Sequence, residues 1–207
     1  MPDELDIEQP GALTAYLRAT ARIPPDESPR IEILAGGVSN RTVLVSRPTG
    51  ESWVVKQALE RLRVAVEWFS DPRRIECEAL GLKHLAEIAP PGTIAPLIFE
   101  DPAHHLLAMQ AVPQPHDNWK TLLLAGHLNP AHVEQFARLL ATLHRRSHER
   151  RVELGQLFAD RTFFETLRIE PYYRYTARQV PETYAFFKQL KCHKRVTFIS
   201  VIPPAIS

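Results

Sequence analysis

Cysteine is nearly absent from this chain. Its 207 residues hold two, Cys77 and Cys192, too few for a disulfide framework, and no Cys/His spacing matches a zinc site. No block of basic residues disturbs the near-neutral balance of +1, so neither nucleic acid nor an anionic membrane surface is expected as a partner. The densest cationic group is Arg145, Arg146, Arg150 and Arg151. It falls at the end of a predicted helix, where positive charge complements the helix dipole. No apolar run approaches the ~20 residues that a membrane-spanning helix needs. The acidic start, Met1-Pro2-Asp3-Glu4-Leu5-Asp6, has no apolar core of the kind a secretory leader carries. The expected location is therefore a reducing cytoplasm. Two more side chains run out along the chain: Asp160 is its last aspartate and Asn129 its last asparagine.

What is present suits a protein with a real core, with 44% hydrophobic residues in a length that serves one large domain or two small lobes. Leu13, Tyr16, Leu17 and Ala21 share one face of a predicted helix over residues 10–22, closed by Pro24-Pro25-Asp26. Three β-patterned runs follow, residues 30–34, 41–46 and 52–57, joined by turns at Gly36-Gly37 and Pro48-Thr49-Gly50-Glu51. Asp71-Pro72 reads as a cap with proline in the first turn of a helix that runs to Ile88. Pro90-Pro91-Gly92 stops it, and strands over 94–100 and 105–109 complete the pattern. The order β-β-β-α-β-β predicts an α+β lobe over residues 1–111, with a five-stranded antiparallel sheet and one main helix across it. Residues 112–190 read as helical. A proline-rich connector spans 112–118, and a long helix from Asn129-Pro130 to His148 buries Val133, Phe136, Leu140 and Leu143. An aromatic, less regular stretch covers 158–175, and one more helix is expected over 183–191. Residues 191–207 form an atypical, largely apolar tail.

Chemistry concentrates in Ile33-Leu34-Ala35-Gly36-Gly37-Val38-Ser39-Asn40 and in Trp53-Val54-Val55-Lys56-Gln57. A pair of glycines lets the backbone adopt positive φ and approach a ligand closely. Successive main-chain N–H groups in such a turn can face phosphate oxygens, with Ser39 and Asn40 adding side-chain donors. Lys56 closes a strand from which an ammonium can reach phosphates. A lysine so placed needs a carboxylate to hold it, and Glu76 and Glu78 lie on the next helix. Turn, lysine and helix glutamate in this order form the phosphate site of the protein-kinase type.

These parts resemble the aminoglycoside phosphotransferase superfamily, kinases of small molecules with a protein-kinase-like fold. Lys56-Gln57-Ala58-Leu59, Arg61-Leu62-Arg63-Val64, Glu67-Trp68 and Arg74-Ile75-Glu76-Cys77-Glu78-Ala79-Leu80 look most like its methylthioribose kinase branch. The resemblance implies ATP as cofactor, with Mg²⁺ in complete members, and transfer of phosphate to a small-molecule hydroxyl such as a sugar's or an aminoglycoside's. It implies that Gly36, Gly37, Ser39 and Asn40 cover the phosphates and that Lys56 binds them. Glu78 is implied as the lysine's partner, with Glu76 as the alternative. Gln110, Ala111 and Val112 would form a hinge whose main chain meets the adenine edge. The family's catalytic loop, His-x-Asp with Asn five residues further and a later metal-binding Asp, has no counterpart here. His116-Asp117-Asn118 does not fit the pattern, and His193-Lys194-Arg195 has no aspartate. The expectation is a catalytically incomplete, truncated kinase-like chain whose helical lobe is short of its packing partners and able to self-associate. The alternative is a non-catalytic nucleotide- or protein-binding module.

Overall fold

The computed structural model describes residues 5–35, 37–184 and 186. They divide into two compact units, 5–143 and 144–186. The first is α+β. Helix α1 (Pro10–Ala19) precedes strands β1 (Arg30–Ile33), β2 (Asn40–Ser46) and β3 (Ser52–Ala58), helix α2 (Arg74–Ile88), and strands β4 (Leu97–Asp101) and β5 (Leu106–Gln110). The five strands form one antiparallel sheet in the order β1-β2-β3-β5-β4.

Alternation of side chains along each strand gives this sheet two different faces. On one, Val43, Val45, Trp53, Val55, Phe99, Leu106 and Ala108 pack with Leu13, Tyr16 and Leu17 of α1. On the other, Ala58 and Leu107 pack with Ile75, Ala79 and Leu82 of α2. Both faces being covered, Leu106, Leu107 and Ala108 are all buried, which is why β5 reads as an unbroken apolar run. A bulge in β4 lets Leu97 stand opposite Met109 and Phe99 opposite Ala108. Two residues of one strand, two apart, thereby serve opposite faces.

Several boundaries differ from the sequence pattern for local reasons. Helix α1 ends at Ala19 rather than Arg22, because Ala21 turns left-handed (φ 53°) and the Arg22 N–H returns to Leu17 O at 2.8 Å. Helix α2 begins at Arg74, not at Pro72. Asp71 makes a turn ahead of it, its carboxylate accepting the Arg73 N–H at 2.9 Å. Between β4 and β5, Pro102–His104 forms a 3-10 turn and His105 is left-handed (φ 51°), so β5 starts at Leu106.

Two further helices follow in the first unit: α3 (Trp119–Leu124), which the sequence pattern did not mark, and α4 (Pro130–Glu149), which continues past the unit boundary. Each starts on an asparagine: Asn118 Oδ1 accepts the Lys120 N–H at 3.0 Å and Asn129 Oδ1 that of Ala131 at 2.9 Å. The Trp119 and Phe136 rings meet at 5.4 Å. In the second unit, α5 (Arg151–Leu157) precedes a helical run over residues 162–179 that is π-helical across Glu165–Tyr175. Arg174 and Arg178 bind Glu165 and Glu170 along it, at 2.9 and 2.6 Å. This run replaces the irregular stretch expected from sequence. Most of the helix expected over 183–191, and the tail over 191–207, lie outside the described residues. No helix among the described residues is long and apolar enough to cross a membrane.

Candidate functional site

Lys56 sits on β3 between Thr42 of β2 and Leu107 of β5, on the α2 side of the sheet. Its ammonium lies 2.7 Å from Glu78 Oε1, and the two side chains are 17% and 18% exposed. Helix α2 makes this pairing. Ile75, Ala79 and Leu82 anchor it on the sheet, and Glu78 stands beside that buried stripe while Glu76 points to solvent. Partial burial keeps the pair from being screened as a surface pair would be.

The glycine turn is placed less as expected. Gly36 lies outside the described residues. Gly37 has no left-handed φ; among the described residues the left-handed glycines are Gly50, Gly92 and Gly126. What Gly37 supplies is space, since a Cβ there would come within 3.3 Å of the Asn40 carbonyl oxygen. The turn is tied down from behind. Ser39 O accepts the Leu59 N–H at 3.0 Å, and Val38 O accepts the Arg63 N–H at 2.8 Å. Ser39 O also accepts from the Arg74 guanidinium. Asn40 Oδ1 is buried with no donor among the described residues.

Beside Lys56, β-alternation puts Leu34, Leu44, Val54 and Met109 on the same face of the sheet. The Leu34 N–H donates to Thr42 O at 2.9 Å, Leu44 faces Val54, and Val54 faces Met109. Leu34 is exposed and the other three are half-buried. Leu44 and Val54 belong to neither core cluster. They form an open apolar shelf that ends on an ammonium.

The hinge residues divide. The Gln110 N–H donates to Pro96 O and that of Ala111 to Ser52 O, both at 2.8 Å. These two N–H groups are spent on the sheet, which leaves the carbonyls of Gln110 and Ala111 as the groups they could offer a ligand. The Val112 N–H has no acceptor among the described residues. Two grooves lie apart from Lys56. One of about 570 Å³ runs between α2 and β4 past Leu82, Ala86, Leu97 and Phe99, and one of about 450 Å³ adjoins Phe69, Ser70 and Asp71.

Arg74 is the residue that the sequence pattern missed. It is 8% exposed, and burial pulls its guanidinium below its ordinary value, against the charges of Asp71 and Glu78. Its signal was in the sequence: Arg74, Glu78 and Leu82 fall at i, i+4 and i+8, on one side of the helix. No protein-family model matches this chain, and no curated protein matches it.

Proposed function

We propose that the α+β lobe binds a purine nucleoside triphosphate in the manner of small-molecule kinases of the aminoglycoside phosphotransferase type. The observation that carries this reading is the Lys56–Glu78 pair at 2.7 Å, standing where an apolar shelf and a hairpin turn meet. Its parts divide the ligand by chemistry. Leu34, Leu44, Val54 and Met109 offer a base an apolar surface to lie on. The Val112 N–H offers its edge a main-chain donor. Lys56, held by Glu78, offers the α- and β-phosphates a cation, with the turn through Gly37, Ser39 and Asn40 above them.

The same reading withholds catalysis from these 207 residues. Phosphoryl transfer depends on positioning and on charge neutralisation by carboxylate-held Mg²⁺. Among the described residues no three His, Cys, Asp or Glu side chains gather as metal ligands, and neither Asp nor Asn occurs after Asp160. No transfer step is assigned to this chain.

Calorimetric titration with ATP tests the reading. Binding that Lys56→Met weakens about tenfold or more, ~1.4 kcal/mol, is the expected result, with no γ-phosphate transfer to sugar or aminoglycoside acceptors. A flat titration with the folded wild-type chain refutes it.

The α3–α4 region supports a second reading, a protein-binding or self-associating surface. Leu124, Leu128 and Val133 are exposed there, Leu124 at 80%. Sedimentation that shows a concentration-dependent dimer, lost in Leu124→Glu, favours it. An ideal monomer at every concentration speaks against self-association.

A further inference from the structure

Arg74 opens α2 four residues ahead of Glu78. A guanidinium so well buried generally needs a carboxylate, yet no ion pair joins Arg74 to one among the described residues. Its N–H groups go instead to main-chain carbonyls. Nη1 donates to Ser70 O at 3.1 Å and Asp71 O at 3.2 Å; Nη2 donates to Leu59 O at 2.7 Å and to Ser39 O. Ser70 and Asp71 lead into its own helix, Leu59 follows β3, and Ser39 belongs to the glycine turn. One planar fork thus makes four bonds to three segments, more than the three donors on a lysine's single nitrogen can supply.

The effect on the turn follows from peptide geometry. Val38 O and Ser39 O both face the 59–74 segment, where Arg63, Leu59 and Arg74 donate to them. In a trans peptide the N–H points opposite to the preceding C=O. The N–H groups of Ser39 and Asn40 therefore each point away from the donor that holds the carbonyl of the same peptide.

We propose that Arg74 is the positioning residue of the phosphate site: it holds the Ser39–Asn40 peptide in this orientation and fixes it to the helix that carries Glu78. The inference rests on the nucleotide reading above. It assigns α2 two tasks one helical turn apart, orienting Lys56 through Glu78 and orienting the turn through Arg74. The apolar shelf on β2 and β3 does not depend on these bonds, so Arg74 serves the polyphosphate and not the base.

The test uses the full chain as wild type, Lys56→Met, Arg74→Met and Arg74→Lys, titrated with ATP, inorganic tripolyphosphate and adenosine. Amide hydrogen exchange is read on the ligand-free proteins. Arg74→Met should weaken ATP and tripolyphosphate about tenfold and leave adenosine within about twofold. Exchange should quicken at the Leu59 and Arg63 amides and stay unchanged at Leu13 and Leu17 of α1. Arg74→Lys should fall between, and it carries the comparison should Arg74→Met fail to fold. Unchanged polyphosphate affinity in Arg74→Met, with Lys56→Met weakened, overturns the role of Arg74 and leaves the nucleotide reading standing. An equal loss for adenosine with faster exchange in α1 also overturns it, marking Arg74 as a fold residue only. Wild-type protein that binds none of the three ligands removes the nucleotide reading and this inference with it.

Discussion

Lys56 and Glu78 lie between two regimes of ion-pair energetics. Exposed pairs contribute ~0–1 kcal/mol and breaking a buried one costs ~3–5. At 17% and 18% exposure, Glu78→Gln should destabilise the chain by about 1–2 kcal/mol, read as a lower urea midpoint at unchanged m. A cluster on the opposite sheet face makes a pH prediction. The Tyr16 hydroxyl donates to Asp101 Oδ2 at 2.7 Å, and His104 Nδ1 meets the same oxygen at 2.8 Å. Burial first, then Asp101, raises the Tyr16 pKa above its usual 10.0. Burial pushes the Asp101 carboxyl up, but the bonds from Tyr16 and His104 more than reverse this and hold it below its usual 3.8. A raised phenol keeps its proton in the folded state, so its contribution is full below about pH 10 and drains away as pH climbs above that. A lowered carboxyl contributes above its ordinary value and loses that contribution as pH falls through its folded value. Tyr16→Phe should therefore flatten both arms: a smaller loss of thermal stability above about pH 10, and a smaller loss as pH falls below the usual 3.8 of the Asp101 carboxyl. A melting series across pH reads both arms, and parallel curves for the two proteins would refute the assignment.

At the scale of elements, the strands were legible because their alternation is clean, and all five appear within a few residues of where the pattern put them. Two boundaries moved where a non-glycine residue takes a left-handed conformation, Ala21 and His105, which composition does not announce. Helix α3 escaped because it is six residues long, with no buried stripe. Of the site, Lys56 and Glu78 were legible from strand end and helix spacing. The loss of the Gln110 and Ala111 donors to Pro96 and Ser52 was not, because it depends on how β5 is paired beyond its last residue. The glycines show the same limit. The doublet suggested positive φ at Gly36 and Gly37; Gly36 lies outside the described residues, Gly37 shows no left-handed φ, and Gly50, in the β2–β3 turn, has φ +89°. The two positions predict opposite signatures. Gly50→Ala meets open space but a strained φ, and should cost about 1 kcal/mol with nucleotide affinity unchanged. Gly37→Ala needs no strained φ, but its Cβ presses on Asn40 O at 3.3 Å. It should cost less stability, about 0.5 kcal/mol, and weaken tripolyphosphate. Melting and titration of the two variants side by side check this, and a Gly37→Ala protein that binds normally would show that the turn tolerates the shift.

At the scale of the molecule, burial is lopsided. The fully formed core clusters draw only on residues between Leu5 and Met109. Of the described residues after Gln110, only Leu143 and Ala177 are buried. Conformational entropy is lost along the whole ordered chain, whereas apolar burial, which offsets it, is concentrated in the sheet lobe. The lobe with its two helices should therefore be the cooperative unit, and the helices beyond it should add little to the surface exposed in the main unfolding transition. Because the denaturant slope m scales with that surface, a fragment of residues 1–118 should unfold in one transition with the midpoint of the full chain. Its m should lie within about 15% of the full chain's main transition. It should also keep ATP binding that depends on Lys56, since every side chain assigned to the ligand precedes Pro113. A fragment that fails to fold, or a full-chain m larger in proportion to its length, would refute this assignment of the cooperative unit.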